Sequence, residues 1–291
     1  MSIFDRLVVG VDGSDGSADA LRWAAAQVGN GDLIAVHGYS PAEQLIAAAV
    51  QINLDSVKAR HEALLRGPWT APAVDLGVTP RCEMLDDNGA NALMTVASNH
   101  GSSVIVVGHQ DKRGWAHQHV GGNAAKLLHH CADPLIVTNA RCHPMPLDGP
   151  VVVGISGTAD LESAHLDWAT RLAGQFGLRL ILVGVNQPPT YFDPDLAPES
   201  ASVIAANAAS MRSLVDSVRS RHPDLTIKGE VRNGLGATEI AAATAEHGAS
   251  IVVLGNHHPS MAAALLSGSI LRHLPASINC PMAAIPATWK P

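Results

Sequence analysis

Several things are scarce in this chain, and each scarcity removes a class of explanation. Aromatic residues make up only 3% of it, so its cores must be built from Val, Leu, Ile and Ala. Basic residues are outnumbered: 19 Lys and Arg against 26 Asp and Glu give a formal charge of −7. That balance argues against a general nucleic-acid or anionic-membrane binder, because both need a basic surface. No uninterrupted apolar run reaches the ~18 residues required to span a bilayer. The first residues, MSIFDRLVVGVDGSDGS, carry Asp5 and Arg6 and turn glycine-rich at once, so a secretory leader is not expected. The four cysteines, Cys82, Cys131, Cys142 and Cys280, show no CxxC or other metal-ligand spacing, and a reduced, cytoplasmic setting is the simplest expectation. Gly154-Ile-Ser-Gly157 is not the G-x-S-x-G nucleophile elbow, which leaves a hydrolase reading without support.

What is present is a repeat. With 291 residues, 47% hydrophobic and 15% charged, the chain has the length of about two ordinary domains with sizeable cores. Val104–Val137 (VIVVGHQDKRGWAHQHVGGNAAKLLHHCADPLIV) returns, altered, as Ile251–Ile285. A constant offset of 147 carries Gly108 to Gly255, Gly121 to Gly268 and Pro134 to Pro281. Each copy is an apolar run ending in Gly, a polar loop, a second Gly opening an amphipathic run, and a Pro leading into another apolar run. A repeat of this kind decides the fold.

In chain order, Leu7–Val11 is a short β-branched run suited to a buried parallel strand. Ser14 or Ser17 then caps a helix running to Ala26, with Asp19 in or near its first turn. Asp32–Gly38 is the next strand, and Pro41–Arg66 carries a helical apolar stripe. Pro68–Pro80 reads as a loop, Arg81–Leu85 as a strand, and Asn88-Gly89 as a turn into a helix ending at Gly101. The second half repeats the order: strands at Val151–Ile155, Leu178–Val185 and Thr226–Val231, and helices at Ser163–Ala169, Pro198–Arg221 and Ala237–His247. Strands alternating with helices predict βαβ units on a parallel sheet. The expectation is two α/β domains, 1–140 and 151–291, joined by a Pro-rich linker at 141–150. Trp23 and Trp168 occupy matching helical positions and read as packing.

In an open parallel sheet, ligands bind beyond the carboxyl ends of the strands at a topological switch point. In the first repeat this gathers Val11, Asp12 and Gly13, then His37 and Gly38, then Gly108 through Asn123. Gly121, Gly122 and Asn123 open a helix, whose exposed N–H groups and dipole suit phosphate. A carboxylate at Asp12 would accept from a base amine or a ribose hydroxyl.

The segment VVGVDGS, a later VVG, a gapped glycine loop and a terminal PLIV strand resemble the universal stress protein family, and the resemblance covers both halves. It implies a doubly wound, five-stranded parallel sheet per domain, of the adenine nucleotide alpha hydrolase-like type. It also implies that the last strands, Leu135–Thr138 and Pro281–Ile285, pair across a pseudo-two-fold as in single-domain dimers. Members that bind ATP carry Gly-x2-Gly-x9-Gly-Ser/Thr together with an Asp after the first strand. Here Asp12, Gly108 and Gly121 match, while Asp111 replaces the second Gly and Gly122 replaces Ser/Thr. In the second repeat Gly255, Gly268 and Ser269 match, but His258 replaces Gly and Ser156 stands where Asp is expected. Asp111 about 4 Å from a phosphate charge would cost from ~1 kcal/mol in water to ~4 kcal/mol near a protein surface, and a bridging Mg²⁺ would reverse that sign. Gly122 forgoes a hydroxyl donor, about 0.5–1.5 kcal/mol. The first repeat is therefore the better nucleotide candidate.

The histidines at 117, 119, 129, 130, 257 and 258 lack a completing ligand set, so no metal site is expected. His258, within the loop, would contact a phosphate when protonated. Lys112, Arg113 and Trp115 read as exposed loop chemistry. The resemblance implies a cytosolic, ATP-binding stress-response regulator, a monomeric pseudo-dimer or a homodimer, acting through a protein partner. The competing expectations are a nucleotide-free interaction protein of the same fold and an enzyme of a related nucleotide-binding class. ATP hydrolysis, if any, should be slow, since no general base or arginine finger is identifiable.

Overall fold

The computed structural model describes residues 2–39, 53–101, 104–109, 122–142, 145–156, 158–186, 197–256 and 270–290. The chain divides into two compact units, Met1–Pro146 and Leu147–Pro291. Among the described residues no helix is long and apolar enough to cross a membrane.

In the first unit, strands β1 (Arg6–Gly10), β2 (Asp32–Gly38), β3 (Arg81–Leu85), β4 (Val104–Gly108) and β5 (Leu135–Thr138) lie in the order β3-β2-β1-β4-β5. All these pairings are parallel, and Val9 sits opposite Ala35 on one side and Val106 on the other. The apolar runs are β-branched because helices cover a parallel sheet on both faces. Leu7, Val8, Val9, Ile105 and Ile136 are accordingly fully buried. Chain order reverses its direction across the sheet between β1 and β4, and there the strand ends open a crevice.

Helix α1 (Asp15–Gln27) is capped by Ser14, whose side chain accepts from Ser17 N. Asp15, not Asp19, occupies the first turn, and Asp19 instead pairs with Arg22 at 2.8 Å. Helix α2 (Leu54–Leu65) starts afresh at Asn53, whose extended backbone and side chain, accepting from Asp55 N and Ser56 N, cap it. The expected stripe from Pro41 to Arg66 is therefore interrupted at Asn53, because a cap residue leaves helical φ/ψ; residues 40–52 lie outside the described set. The expected loop from Pro68 to Pro80 contains a one-turn helix, α3 (Ala71–Val74), with Pro in its first turn, where its missing N–H costs nothing. Helix α4 (Gly89–His100) is capped by Asn88 and stops at Gly101, and α5 (Gly122–His130) follows β4. His129 and His130 are exposed in its last turn.

The second unit has strands β6 (Val151–Ile155), β7 (Leu180–Asn186), β8 (Ile227–Asn233), β9 (Ile251–Asn256) and β10 (Met282–Pro286), ordered β10-β9-β6-β7-β8 and all parallel. A 3-10 turn (Thr158–Glu162) leads into α6 (Ala164–Phe176); α7 (Ala197–Arg221) and α8 (Gly236–His247) follow. Trp23 and Trp168 are each 1% exposed, so both indoles are core, and Phe4 meets Trp23 edge-on at 5.7 Å.

One polar arrangement survives in both repeats. Arg81 and His100 pair with Glu83 at 3.0 and 2.8 Å. Lys228 and His247, each 147 residues further on, pair with Glu230 at 3.1 and 3.0 Å. Strands β3 and β8 end the strand order of their units, and charges placed there discourage pairing with a foreign strand. Glu230 also accepts from Arg232 at 2.8 Å. Burial works against its ionisation, but the hydrogen bonds from Arg232, His247 and Lys228 hold its carboxyl down at about 2.

Candidate functional site

A cleft of about 430 Å³ opens at the carboxyl ends of the strands in the first unit, within the 300–1,000 Å³ typical of small-molecule sites. Its floor is the end of β1 and β2: Gly10, Val11 and Asp12 beside Val36, His37 and Gly38. The first residues of two helices also line the cleft, Asn88 and Gly89 at α4, and Gly122, Asn123 and Ala124 at α5. Both helices begin at the cleft, so their orphan N–H groups and positive dipole ends favour an anion there.

Close backbone approach builds this shape. A Cβ at Gly108 would run into the carbonyl of Gly16, and one at Gly38 would come within 2.7 Å of Gly89. Glycine at 108 and 38 is therefore required by packing before any ligand is considered. Among the described residues no atom lies within 4 Å of a would-be Cβ at Gly122.

Asp12 is exposed at the rim. Its Oδ1 accepts from Ser14 N at 3.0 Å and Ser14 Oγ at 2.5 Å. That turn orients the carboxylate, and Oδ2 makes no hydrogen bond to a described residue. Val11 contributes wall only: its N–H donates to Val36 O at 2.8 Å, its carbonyl accepts from His37 Nδ1 at 2.8 Å, and its side chain is buried. Gly13, at φ +79, turns away under the indole of Trp69, which any side chain there would strike.

Behind the floor lies an aromatic cluster that sequence reasoning did not anticipate. His37 is buried, and its Nε2 meets His61 Nδ1 at 3.1 Å. A carbonyl only accepts, so His37 Nδ1 carries the proton toward Val11. In the neutral ring Nε2 therefore accepts from His61 Nδ1–H. Trp69 packs 4.9 Å from His37 and 5.5 Å from His61, and Tyr39 lies 5.4 Å from His61. These residues join the ends of β1 and β2 to the turn after α2 and stiffen the side of the cleft that carries Asp12. Local pattern gave no signal for them, because the contacts that tie His61 and Trp69 to His37 and Tyr39 link positions 22 to 32 residues apart along the chain. Asn88-Gly89 was legible only as a turn; its place in the wall follows from the tertiary arrangement.

Of the other expected site residues, Gly255 is the penultimate residue of β9, beside Ile285, while Asp111, Gly121, His258, Gly268 and Ser269 lie outside the described residues, as do Lys112, Arg113, Trp115 and the histidines at 117, 119 and 257. Where the first unit has Asp12, the second has Ser156, whose N–H donates to the buried carboxylate of Asp160 at 2.5 Å. The four cysteines are all free, and burial pushes the thiols of Cys131 and Cys142 up to about 11. Among the described residues no three His, Cys, Asp or Glu side chains gather in a metal-binding group.

Comparison with known proteins agrees with this architecture. Universal stress proteins of two Mycobacterium tuberculosis strains, H37Rv and CDC 1551, are each 25% identical over 293 residues, covering 91% of this chain and 90% of their own. A crystal structure of a universal stress protein from Archaeoglobus fulgidus superposes with a TM-score of 0.62 at 14% identity, over 97% of this chain and 98% of its own. A shorter universal stress protein was solved in complex with cAMP; it matches 48% of this chain and 97% of its own at 21% identity, with a TM-score of 0.36. The model of the universal stress protein family matches residues 3–139 and again 149–286. This chain belongs to the universal stress protein family, and both of its repeats are members.

Proposed function

We propose that the chain binds an adenine nucleotide, ATP among them, in the cleft of its first unit and acts as a nucleotide-responsive regulator. The observation that carries this reading is the polarity of the cleft. Asp12, an oriented carboxylate, and the N-termini of α4 and α5 line the same cleft. A carboxylate suits the donors of an adenine or ribose, and helix N-termini suit phosphates. A nucleotide has both ends in one molecule.

In the second unit Ser156 replaces Asp12, and Leu235, 66% exposed, stands where Asn88 stands in the first. These changes remove the carboxylate and the polar cap, so the nucleotide belongs to the first unit. Titration with a fluorescent ATP analogue, with and without Mg²⁺, tests the reading. Saturable binding displaced by ATP is expected, and the Mg²⁺ arm reports whether a cation takes part. A purified chain that binds no adenine nucleotide in either condition would instead favour a nucleotide-free interaction protein.

A further inference from the structure

Lys126 is an electrostatic oddity. It lies on α5, one turn beyond Asn123, and is half-buried. Cations are disfavoured near helix N-termini, yet this one sits by two. Its Nζ lies 3.3 Å from Asn88 Oδ1, and Asn88 both caps α4 and lines the cleft. No described carboxylate pairs with it. An ammonium has three donors, and among the described residues only Asn88 accepts from it.

The amide of Asn88 is fixed in the orientation this requires. Its Nδ2 donates to Asp87 Oδ1 at 2.9 Å, which directs Oδ1 toward Asn91 N at 3.1 Å and toward Lys126. The lysine is thus tethered just behind the cleft, bonded to Asn88, which lines it and caps α4. Positive potential with no counter-charge among the described residues is stable when an anion supplies the missing charge.

The second repeat is an internal control. At the offset of 147, Asn88, Asn123 and Lys126 become Leu235, Ile270 and His273. Asp12 has also gone there, replaced by Ser156. Carboxylate and lysine are present together in one unit and absent together from the other, as expected of two ends of one ligand.

We infer that Lys126, positioned by Asn88, reads the phosphate charge of the ligand in the first unit and makes that cleft prefer nucleotides over nucleosides. The inference rests on the nucleotide reading above. Removing a charge-assisted hydrogen bond weakens binding by about 10- to 100-fold, and the loss should grow with phosphate number.

The test measures adenosine, AMP and ATP affinity for the full chain and for its Lys126→Met and Lys126→Arg variants, at low and high salt. Lys126→Met is expected to leave adenosine affinity within about twofold and weaken ATP by about tenfold or more, with a shallower salt dependence; Lys126→Arg restores most of the ATP affinity. Equal losses for adenosine and ATP would reduce Lys126 to a structural role and overturn the inference. Unchanged ATP affinity in Lys126→Met overturns it as well while leaving the nucleotide reading intact. A parent chain that binds none of the three overturns both.

Discussion

Two glycines of the cleft carry opposite predictions, although the sequence presents them as parts of the same loop motif. A Cβ at Gly108 would meet the Gly16 carbonyl well inside the 3.0 Å that real Cβ contacts keep. The neighbour is backbone at the start of α1, fixed by the Ser14 cap and by the pairing of β4 with β1. It has no rotamer by which to yield. Gly108→Ala must therefore separate α1 from β4, and overpacking of this kind costs about 1–3 kcal/mol. For a unit of this size that lowers the melting temperature by roughly 2–4 °C per kcal/mol, so a fall of about 2–12 °C is expected. Gly122→Ala, at the first residue of α5, meets no described atom within 4 Å, so its melting should stay within about 1 °C. Thermal unfolding followed by circular dichroism reads both, and hydrogen exchange should locate the Gly108→Ala damage in α1 and β4. Equal melting of the two variants would refute the claim that glycine at 108 answers to packing.

Other expectations follow from the same structure. Leu235 is an N-cap residue with no side-chain cap bond and an extended backbone, so Leu235→Asn should stabilise the second unit by about 1 kcal/mol; a destabilised variant in chemical denaturation would contradict the cap assignment. Trp23→Ala and Trp168→Ala each empty a site 1% exposed and should cost about 3–5 kcal/mol, with a loss under 1 kcal/mol in denaturant titration counting against core packing. Glu230 is held at about 2, below its ordinary 4.5, so its contribution is fully present above pH ~4.5 and is lost as pH falls toward 2. Unscreened, that contribution is about 3 kcal/mol, and solvent screening reduces it to about 1–2 kcal/mol. Glu230→Gln should therefore be less stable than the parent at pH 7, with the gap closing below pH ~4.5; a gap independent of pH would sink the assignment.

The fold was largely legible because its signals are local. β-branched runs, glycine stops and the 147-residue offset each reflect one strand, one helix end or one repeat, and the buried Trp23 and Trp168 followed from their matching positions. The candidate cleft was legible at Gly38 and Gly108, where close backbone approach dictates residue type, and at Asp12, which follows the first strand and lines it. It was opaque where side chains meet across the fold. Nothing in a window of sequence brings Trp69 over Gly13, stacks His61 behind His37 or sets Lys126 against Asn88. The break at Asn53 was hidden for a different reason: the apolar stripe continues through it, and only the capping bonds from Asp55 N and Ser56 N show that the helix of Leu54–Leu65 starts there.

The central claim is that the nucleotide is held by Asp12 in the first unit. Calorimetric titration of ATP into the parent chain, Asp12→Asn and Ser156→Ala tests it most directly, because Asp12→Asn keeps an acceptor for Ser14 while removing the charge. The account predicts one site per chain, weakened about 10- to 100-fold in Asp12→Asn and unchanged in Ser156→Ala. Two equivalent sites, or ATP affinity indifferent to Asp12→Asn, would contradict it.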